Sequence, residues 1–295
     1  MKSRRYYKAS IGSRVFDISN TLFLLLLAFV TLYPMYHIFI VSISDGIYIV
    51  RGMVNWIPRG LTSEAYRMVF RNDLIWIAYL NTLIYTSVGT LINIVCTSMC
   101  AYPLCRKDFY GRRFFTFMII LTMFVSGGMI PLYLVVMQLG LINTMWAIVL
   151  PPAINTYNMI IMRTFFSGIP VSLQESAYLD GANDIKILLN IILPLSKPIL
   201  ATMTLFYAVQ HWNSWFSALI YLTSRSRYPV QLILRDIVVT GELSEHGGEV
   251  TRSLNIIATN YKYAVIIISV VPILCFYPFL QKYFAKGVMI GAVKG

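Results

Sequence analysis

The stretch ESAYLDGANDIKILLNIILPLSKP, from Glu175 to Pro198, interrupts a sequence that is otherwise dominated by apolar runs. Just before it, Pro170 closes one segment, and Ser172 and Glu175 have the Ser-x-x-Glu spacing of a capping box, which predicts a helix start. Gly181 can adopt the left-handed conformation that ends a helix. We therefore predict a short helix, a corner and a second helix, whose apolar residues at helical spacing are Ile185, Leu188, Leu189 and Ile192.

This segment, residues 170–186, is called the elbow below, and two interpretations of it are open at this point. It has the composition of an ordinary amphipathic connector. It is also suited to contact with another protein, because its small residues permit close backbone approach and its larger apolar residues supply contact area. The small residues are Ser176, Ala177, Gly181 and Ala182, the apolar ones are Leu173, Tyr178 and Leu179, and the corner runs from Asp180 to Asn183.

The rest of the chain has the composition of a membrane protein. Of its 295 residues, 58% are hydrophobic and 12% are charged, against roughly 25% charged in soluble domains. A helix needs about 20 apolar residues to cross a bilayer, and the long run from Phe114 to Met162 divides at the turn sequence QLGLINT. Six spans are predicted, at about 18–44, 75–104, 114–138, 144–162, 198–222 and 263–281.

Lysine and arginine predict the orientation. Fifteen of the 24 basic residues fall on one side of this six-span topology and nine on the other, so the positive-inside rule puts both termini in the cytoplasm. The first apolar run lacks a small-residue cleavage site, so we expect a retained helix. The basic residues are dispersed along the chain, which argues against nucleic-acid binding. The four cysteines lie in or beside spans, as expected of inert thiols.

Two longer segments are predicted outside the membrane. In the first, residues 45–73, Thr62 or Ser63 can cap a short amphipathic helix. The second, residues 223–262, contains the glycine-rich, acidic sequence TGELSEHGGEVTRS, which is typical of a projecting loop.

The spacing of Glu175-Ser-Ala177, Gly181 and then Ile191-x-Leu193-Pro194 resembles the Glu-Ala-Ala loop of ABC importer permeases, with serine in place of the first alanine. The resemblance extends over most of the chain, through NTLIYTSVGT, AYPLCRKDFYGRR, FVSGGMIPLYLVVMQLGLINT and QKYFAKGVMIGAVKG. These segments look like the second permease subunit of maltose-type carbohydrate importers, and FVSGGMIP looks like a branch that handles larger oligosaccharides.

The resemblance implies an all-α type I importer permease whose elbow is a cytoplasmic coupling helix. It implies a second, different permease, two ATPase subunits that bind ATP and Mg²⁺, an extracytoplasmic solute-binding protein and an oligosaccharide substrate in a bacterial inner membrane. The chain has no phosphate-binding Gly-x-x-x-x-Gly-Lys-Ser/Thr sequence, so it is expected to be a pore subunit that binds no cofactor and is not an enzyme. The expected ATPase-coupling residues are Glu175, Ser176, Ala177, Asp180, Gly181 and Ala182, and the C-terminal KGVMIGAVKG is a further candidate contact.

Aromatic faces and amide groups suit a sugar, and polar residues within spans tend to face a cavity. The same residue types also join helices or mark the membrane interface. Candidate substrate-pathway residues are Gln210, Trp212, Asn213, Asn155, Tyr157 and Asn158, and the candidate binding-protein loop includes Gly241, Glu242, Gly247 and Gly248.

Other function classes lack their sequence signatures. A secondary transporter would need intramembrane carboxylates or an inverted repeat, and an intramembrane enzyme would need a catalytic constellation within the spans. His37 and His211 have no acidic neighbour within their spans, which argues against a proton relay. Both outer loops have a basic excess of one charge, which slightly favours an acidic oligosaccharide over a neutral one.

Overall fold

The computed structural model describes residues 11–245 and 260–275, and these ranges consist of helices joined by turns, with no strand among them. The all-α prediction is confirmed. The chain divides into two compact units, Met1–Val69 with Gly241–Ile267 and Phe70–Thr240 with Ile268–Gly295.

Fifteen α-helices, with a π-helical turn (Leu188–Ile192) and a 3₁₀ turn (Arg225–Arg227), make up the described part of the chain. They are α1 Ile11–Ser42, α2 Gly46–Val50, α3 Glu64–Arg71, α4 Asp73–Cys105, α5 Arg112–Leu121, α6 Met129–Gln138, α7 Trp146–Val149, α8 Thr156–Ser167, α9 Val171–Leu179, α10 Asp184–Ile187, α11 Leu193–Leu195, α12 Lys197–Trp212, α13 Phe216–Tyr221, α14 Val230–Glu245 and α15 Asn260–Cys275.

In the first unit, α1 exposes almost its whole apolar length and buries only its last three residues. A 32-residue helix of this kind is stable in lipid because its backbone hydrogen bonds are internal. Its C-terminal end is attached to the following loop by Tyr36, which donates to the Trp56 carbonyl at 2.7 Å, and by His37, whose Nε2 lies 3.1 Å from the Val54 carbonyl oxygen. Thr62 Oγ1 accepts from the Glu64 N–H at 3.2 Å, which confirms the predicted capping of α3.

In the second unit, α4 is the central element. Its 33 residues extend about 50 Å at 1.5 Å per residue, which exceeds the roughly 30 Å of a bilayer core. It packs along both α8 and α12. Their shared core includes Tyr102, Met159, Met162, Phe166, Ile187, Ile192, Met203 and Tyr207.

Three predicted spans are interrupted in the structure. The span at 114–138 is divided between α5 and α6, which begins after Gly128 at φ +84°. The span at 144–162 is divided at Pro151 and Pro152, which lack the N–H that a helix interior requires. The span at 198–222 is divided between α12 and α13. Among the described residues, α1 and α4 are each long and apolar enough to cross a bilayer, and the six-span topology stays a prediction.

The approach to α12 is sharply bent. The helical segment Asp184–Leu195 meets Lys197–Trp212 at 86°. The bend falls at Ser196, which is fully buried between the two segments.

Candidate functional site

The elbow is a helix, a corner and a second helix, as predicted, but it does not begin with a capping box. Helix α9 starts at Val171, directly after Pro170, and has no side-chain cap. Ser172 therefore lies inside the first turn, where its carbonyl oxygen accepts a hydrogen bond from Ser176 Oγ at 2.9 Å. The capping-box prediction was wrong because Pro170, with its fixed φ, precedes the first helical residue and moves the helix start upstream of Ser172.

The predicted glycine corner is confirmed. Gly181 has φ +75°, and its N–H donates to the Tyr178 carbonyl at 3.0 Å. The Ala182 N–H donates to the Ala177 carbonyl at 2.9 Å. These two bonds form a Schellman motif, which satisfies the last free carbonyls of α9. A Cβ at Gly181 would meet no atom within 4 Å, so the requirement for glycine here is conformational.

The second arm of the elbow differs from the predicted amphipathic helix. Asn183 caps α10 by accepting the Lys186 N–H at 2.9 Å, and the helix then widens into the π-helical turn Leu188–Ile192. The wider turn changes the periodicity. Leu188 and Ile192 are buried as expected, but Ile185 and Leu189 are exposed, and Ile187, which the spacing did not select, is fully buried.

The predicted coupling residues divide by exposure. Ala177 is 8% exposed and packs in the core of this chain. Glu175, Ser176, Asp180 and Gly181 are exposed, and Ala182 is half-buried. Leu179, at the tip beside the corner, is 90% exposed, so the elbow presents a large apolar side chain that no contact within the described part of the chain covers.

Arg106 holds the elbow against the end of α4. Its guanidinium forms ion pairs with Asp108 in its own loop and with Asp184 in α10, and it contacts the hydroxyl of Tyr178 in α9. The Tyr178 hydroxyl in turn donates to Asp184. The hydrogen bond from Arg106 lowers the pKa of Asp108, and partial burial with the hydrogen bond to Asp184 raises the pKa of Tyr178 to about 12.

Beside this cluster lies a cavity of about 610 Å³. Its walls are the loop after α4, the end of α8 and one face of α9, and it contains charges of both signs. The charged and polar residues that line it are Arg106, Lys107, Asp108, Arg112, Gln174, Glu175 and Tyr178.

A buried polar network joins the spans of the second unit. His211 Nε2 lies 2.6 Å from Asn93 Oδ1, and Asn93 donates to the Ala153 carbonyl at 3.0 Å. Tyr207 and Thr97 share a 2.7 Å hydrogen bond. Neither Asn93 nor Thr97 was selected from the sequence, although an asparagine within an otherwise apolar helix is a detectable signal.

The candidate substrate-pathway residues lie in different environments. Gln210, Asn213 and Tyr157 are exposed, whereas Trp212 and Asn158 are buried. Trp212 Nε1 donates to the Ser269 carbonyl at 3.2 Å, and Asn155 caps α8 by accepting the Asn158 N–H at 3.1 Å. Trp212 Nε1 and the side-chain oxygen of Asn155 therefore have hydrogen-bond partners within the chain.

The predicted projecting loop begins later than expected. Helix α14 extends to Glu245, so the backbone of Gly241 and Glu242 is helical. Gly247 and Gly248 lie outside the described residues, as does the C-terminal KGVMIGAVKG. Among the described residues, no cluster of histidine, cysteine, aspartate or glutamate has the arrangement of a metal site.

A family model described as the binding-protein-dependent transport system inner membrane component matches residues 93–290, which include the elbow, α8 and α12. The chain belongs to this family. It is a permease subunit of an ABC importer, so it is not an enzyme and ATP hydrolysis is performed by separate subunits. The resemblance inferred from the elbow is confirmed.

Individual relatives cover nearly the whole permease. It is 41% identical to the polygalacturonan/rhamnogalacturonan transport system permease protein YtcP of Bacillus subtilis, with 96% of this chain and 99% of that protein covered. It is 40% identical to Protein LplC of B. subtilis, with 96% of both covered. A chain from the crystal structure of a bacterial ABC transporter involved in the import of the acidic polysaccharide alginate is 34% identical, with a TM-score of 0.86 over 94% of this chain and 99% of that one.

Proposed function

We propose that this permease forms half of a pore that imports an acidic oligosaccharide across a bacterial inner membrane. A second, different permease forms the other half, two ATPase subunits bind ATP and Mg²⁺ on the cytoplasmic side, and an extracytoplasmic solute-binding protein delivers the sugar. Both termini lie in the cytoplasm, in keeping with the distribution of basic residues.

The substrate class rests on the relatives. Polygalacturonan, rhamnogalacturonan and alginate, named for two of the similar proteins, are chains rich in uronate carboxylates. Guanidinium groups bind carboxylates through paired, charge-assisted hydrogen bonds. The permease has Arg225 and Arg227 in the turn after α13, and Arg235 in α14 lies 5.9 Å from the ring of Trp215. Exposed Gln210 and Asn213 are the stronger candidates for sugar contact within the pore.

The proposed docking of the ATPase at the elbow is based on which elbow side chains are exposed. Leu179 is 90% exposed at the tip, and Glu175 is exposed on the side that faces the cavity. We assign this surface to the ATPase. Ala177 supports it from within, and Gly181 fixes the corner. When the two ATPase subunits close on ATP, they move the elbow, and the pore changes from inward-facing to outward-facing. This is a rigid-body form of alternating access. The α14 residues Gly241 and Glu242, with Gly247 and Gly248, are assigned to the binding protein.

Replacement of Leu179 by aspartate tests the docking surface. Because the side chain is exposed, the permease should fold and insert, while the ATPase subunits should no longer copurify with it. Tyr110→Asp is the matched control, since Tyr110 is 96% exposed in the loop before α5, outside the elbow. Wild-type amounts of bound ATPase with Leu179→Asp would refute the assignment.

The sugar is tested in the complete complex reconstituted with its binding protein. Oligogalacturonates and neutral oligogalactosides of equal length should be compared as stimulators of ATP hydrolysis. We expect stimulation by the uronates and little by the neutral chains. The reverse result would remove the acidic substrate from the proposal and leave the importer function intact.

A further inference from the structure

The loop after α4 and both arms of the elbow meet at one side chain, Arg106. Arg106 directly follows the last residue of α4, and its backbone N–H still donates to the Pro103 carbonyl at 3.2 Å. Its guanidinium contacts Tyr178 and Asp184, which are 72 and 78 residues further along the chain. Tyr178 belongs to α9 and Asp184 to α10, so one side chain bridges α4 to both arms.

The geometry uses the planar shape of the guanidinium. Nε and one terminal nitrogen pair with the two oxygens of Asp108, with Nε 3.0 Å from Oδ1, and the other terminal nitrogen contacts Tyr178 and Asp184. Lysine cannot reproduce this arrangement because an ammonium is a single point charge. The side chain of Arg106 is 18% exposed, whereas those of Asp108 and Asp184 are 66% and 64% exposed.

Besides side-chain packing, two routes connect the elbow to the pore helices. The first is the covalent chain, which continues from α10 through the bend at Ser196 into α12. The second is the Arg106 bridge into α4, which packs along α8 and α12. Without the bridge, α4 would follow the elbow only through side-chain packing.

We propose that Arg106 is a positioning residue that transmits movement of the elbow directly to α4. This inference rests on the proposed docking of the ATPase at the elbow. An arginine that only stabilised its own loop would depend on Asp108 alone, whereas a transmitting arginine depends on Tyr178 and Asp184. Substitutions of Asp108 and of Asp184 therefore distinguish the two roles.

The thiols of α4 can report its movement. Cys96 and Cys100 are half-buried on this helix. In the complete complex, with Cys105 and Cys275 replaced by serine, their maleimide-labelling rates are measured with and without ATP and vanadate. We expect nucleotide to change the rate in the otherwise wild-type complex. Arg106→Gln and Asp184→Asn should each reduce this nucleotide-dependent change about tenfold, a typical size for coupling between sites.

Asp108→Asn is the matched control, because it removes one partner of Arg106 and leaves the bridge to the elbow in place. It should keep the wild-type labelling response. The double variant Arg106→Gln/Asp184→Asn should be no worse than either single variant, because both remove the same contact. Asp184→Asn also provides the test if Arg106→Gln fails to fold.

The amount of copurified ATPase separates this inference from the docking proposal. We expect Arg106→Gln and Asp184→Asn to bind the ATPase normally. A wild-type labelling response in these variants, loss of bound ATPase from them, an equal effect of Asp108→Asn, or no nucleotide response in the otherwise wild-type complex would each overturn the inference. Failure of the docking proposal itself would appear as normal ATPase binding by Leu179→Asp.

Discussion

Gly89 on α4 leaves no room for a side chain, and replacing it by alanine should destabilise the second unit. An added Cβ would lie 2.4 Å from Nε2 of His211 and within 2.8 Å of two other ring atoms. The imidazole cannot easily move aside, because it is 3% exposed and lies 2.6 Å from Asn93 Oδ1. The ring must therefore give up this hydrogen bond, or α4 must shift away from α12.

Either response should lower the free energy of unfolding. Overpacking of a close-packed interior costs about 1–3 kcal/mol, and leaving a buried hydrogen-bonding group unsatisfied costs about 1–3 kcal/mol. Because the two costs overlap, we expect Gly89→Ala to lose about 3 kcal/mol. For a chain of 295 residues, with an unfolding entropy of about 2.1 cal/mol/K per residue, that corresponds to a fall of roughly 5 °C in the unfolding midpoint.

The thiols of the chain provide the assay. Cys105 is buried, and Cys96 and Cys100 are half-buried, so they react with a thiol-sensitive fluorophore as the purified complex unfolds on heating. Cys275 is exposed and is replaced by serine in every variant to remove the background signal.

A control and a rescue make the reasoning refutable. At Gly127, an added Cβ would have its nearest neighbour at 3.8 Å, which is an ordinary contact, so Gly127→Ala should melt like the wild type. Removing the ring vacates the space, so Gly89→Ala/His211→Ala should be no less stable than His211→Ala alone. An unchanged midpoint for Gly89→Ala, or additive losses in the double variant, would refute the close contact.

Three further predictions follow from single side chains. Gly181→Asp should leave membrane insertion intact but abolish sugar-driven ATPase activity. Gly181→Asn is the neutral control, because asparagine and aspartate both tolerate the φ of +75° and should lower the melting midpoint by a similar small amount. Normal uptake by the aspartate variant would contradict this. Asn143→Ala should lower the free energy of unfolding by about 2 kcal/mol. Asn143 has φ 58°, and its side chain accepts the Ser224 N–H at 3.1 Å. An unchanged melting midpoint would contradict this prediction. Trp212→Phe should lower the melting midpoint, because it removes the hydrogen bond to Ser269, and should leave the KM for sugar unchanged. Asn213→Ala should raise the KM for sugar and leave the melting midpoint unchanged, because Asn213 is exposed. The opposite pattern would make Trp212 the sugar contact.

The elbow shows which features a local sequence can predict. The corner at Gly181 was predicted correctly because a left-handed helix end depends on one residue and its immediate neighbours. The helix start was wrong by two residues, because the residue that precedes the first helical position is Pro170 and not the expected cap Ser172. The π-helical turn was missed because an apolar stretch has the same composition in an α-helix and in a π-helix, and the wider turn changed which of its side chains are buried.

The Arg106 bridge shows what local sequence cannot predict. Asp184 is 78 residues from Arg106, and each lies in a polar segment where charged side chains are ordinarily solvated. Only the packing of α4 beside α8 and α12 brings the two segments together. The sequence also contains Gly128, Pro151 and Pro152, which interrupt two of the predicted spans. Their effect was not predicted because they lie within an otherwise continuous apolar run.

The 86° bend at Ser196 makes two helical segments of this permease into the arms of a lever that would pivot at the bend. One arm, Asp184–Leu195, meets the other arm, α12, nearly at a right angle. Since the 16 residues of α12 extend about 24 Å at 1.5 Å per residue, a rotation of about 10° about the bend would sweep the far end of α12 sideways by about 4 Å. That displacement is comparable to the width of one sugar ring, so under the proposed docking of the ATPase at the elbow a small tilt would be enough to change the width of a passage for a carbohydrate chain.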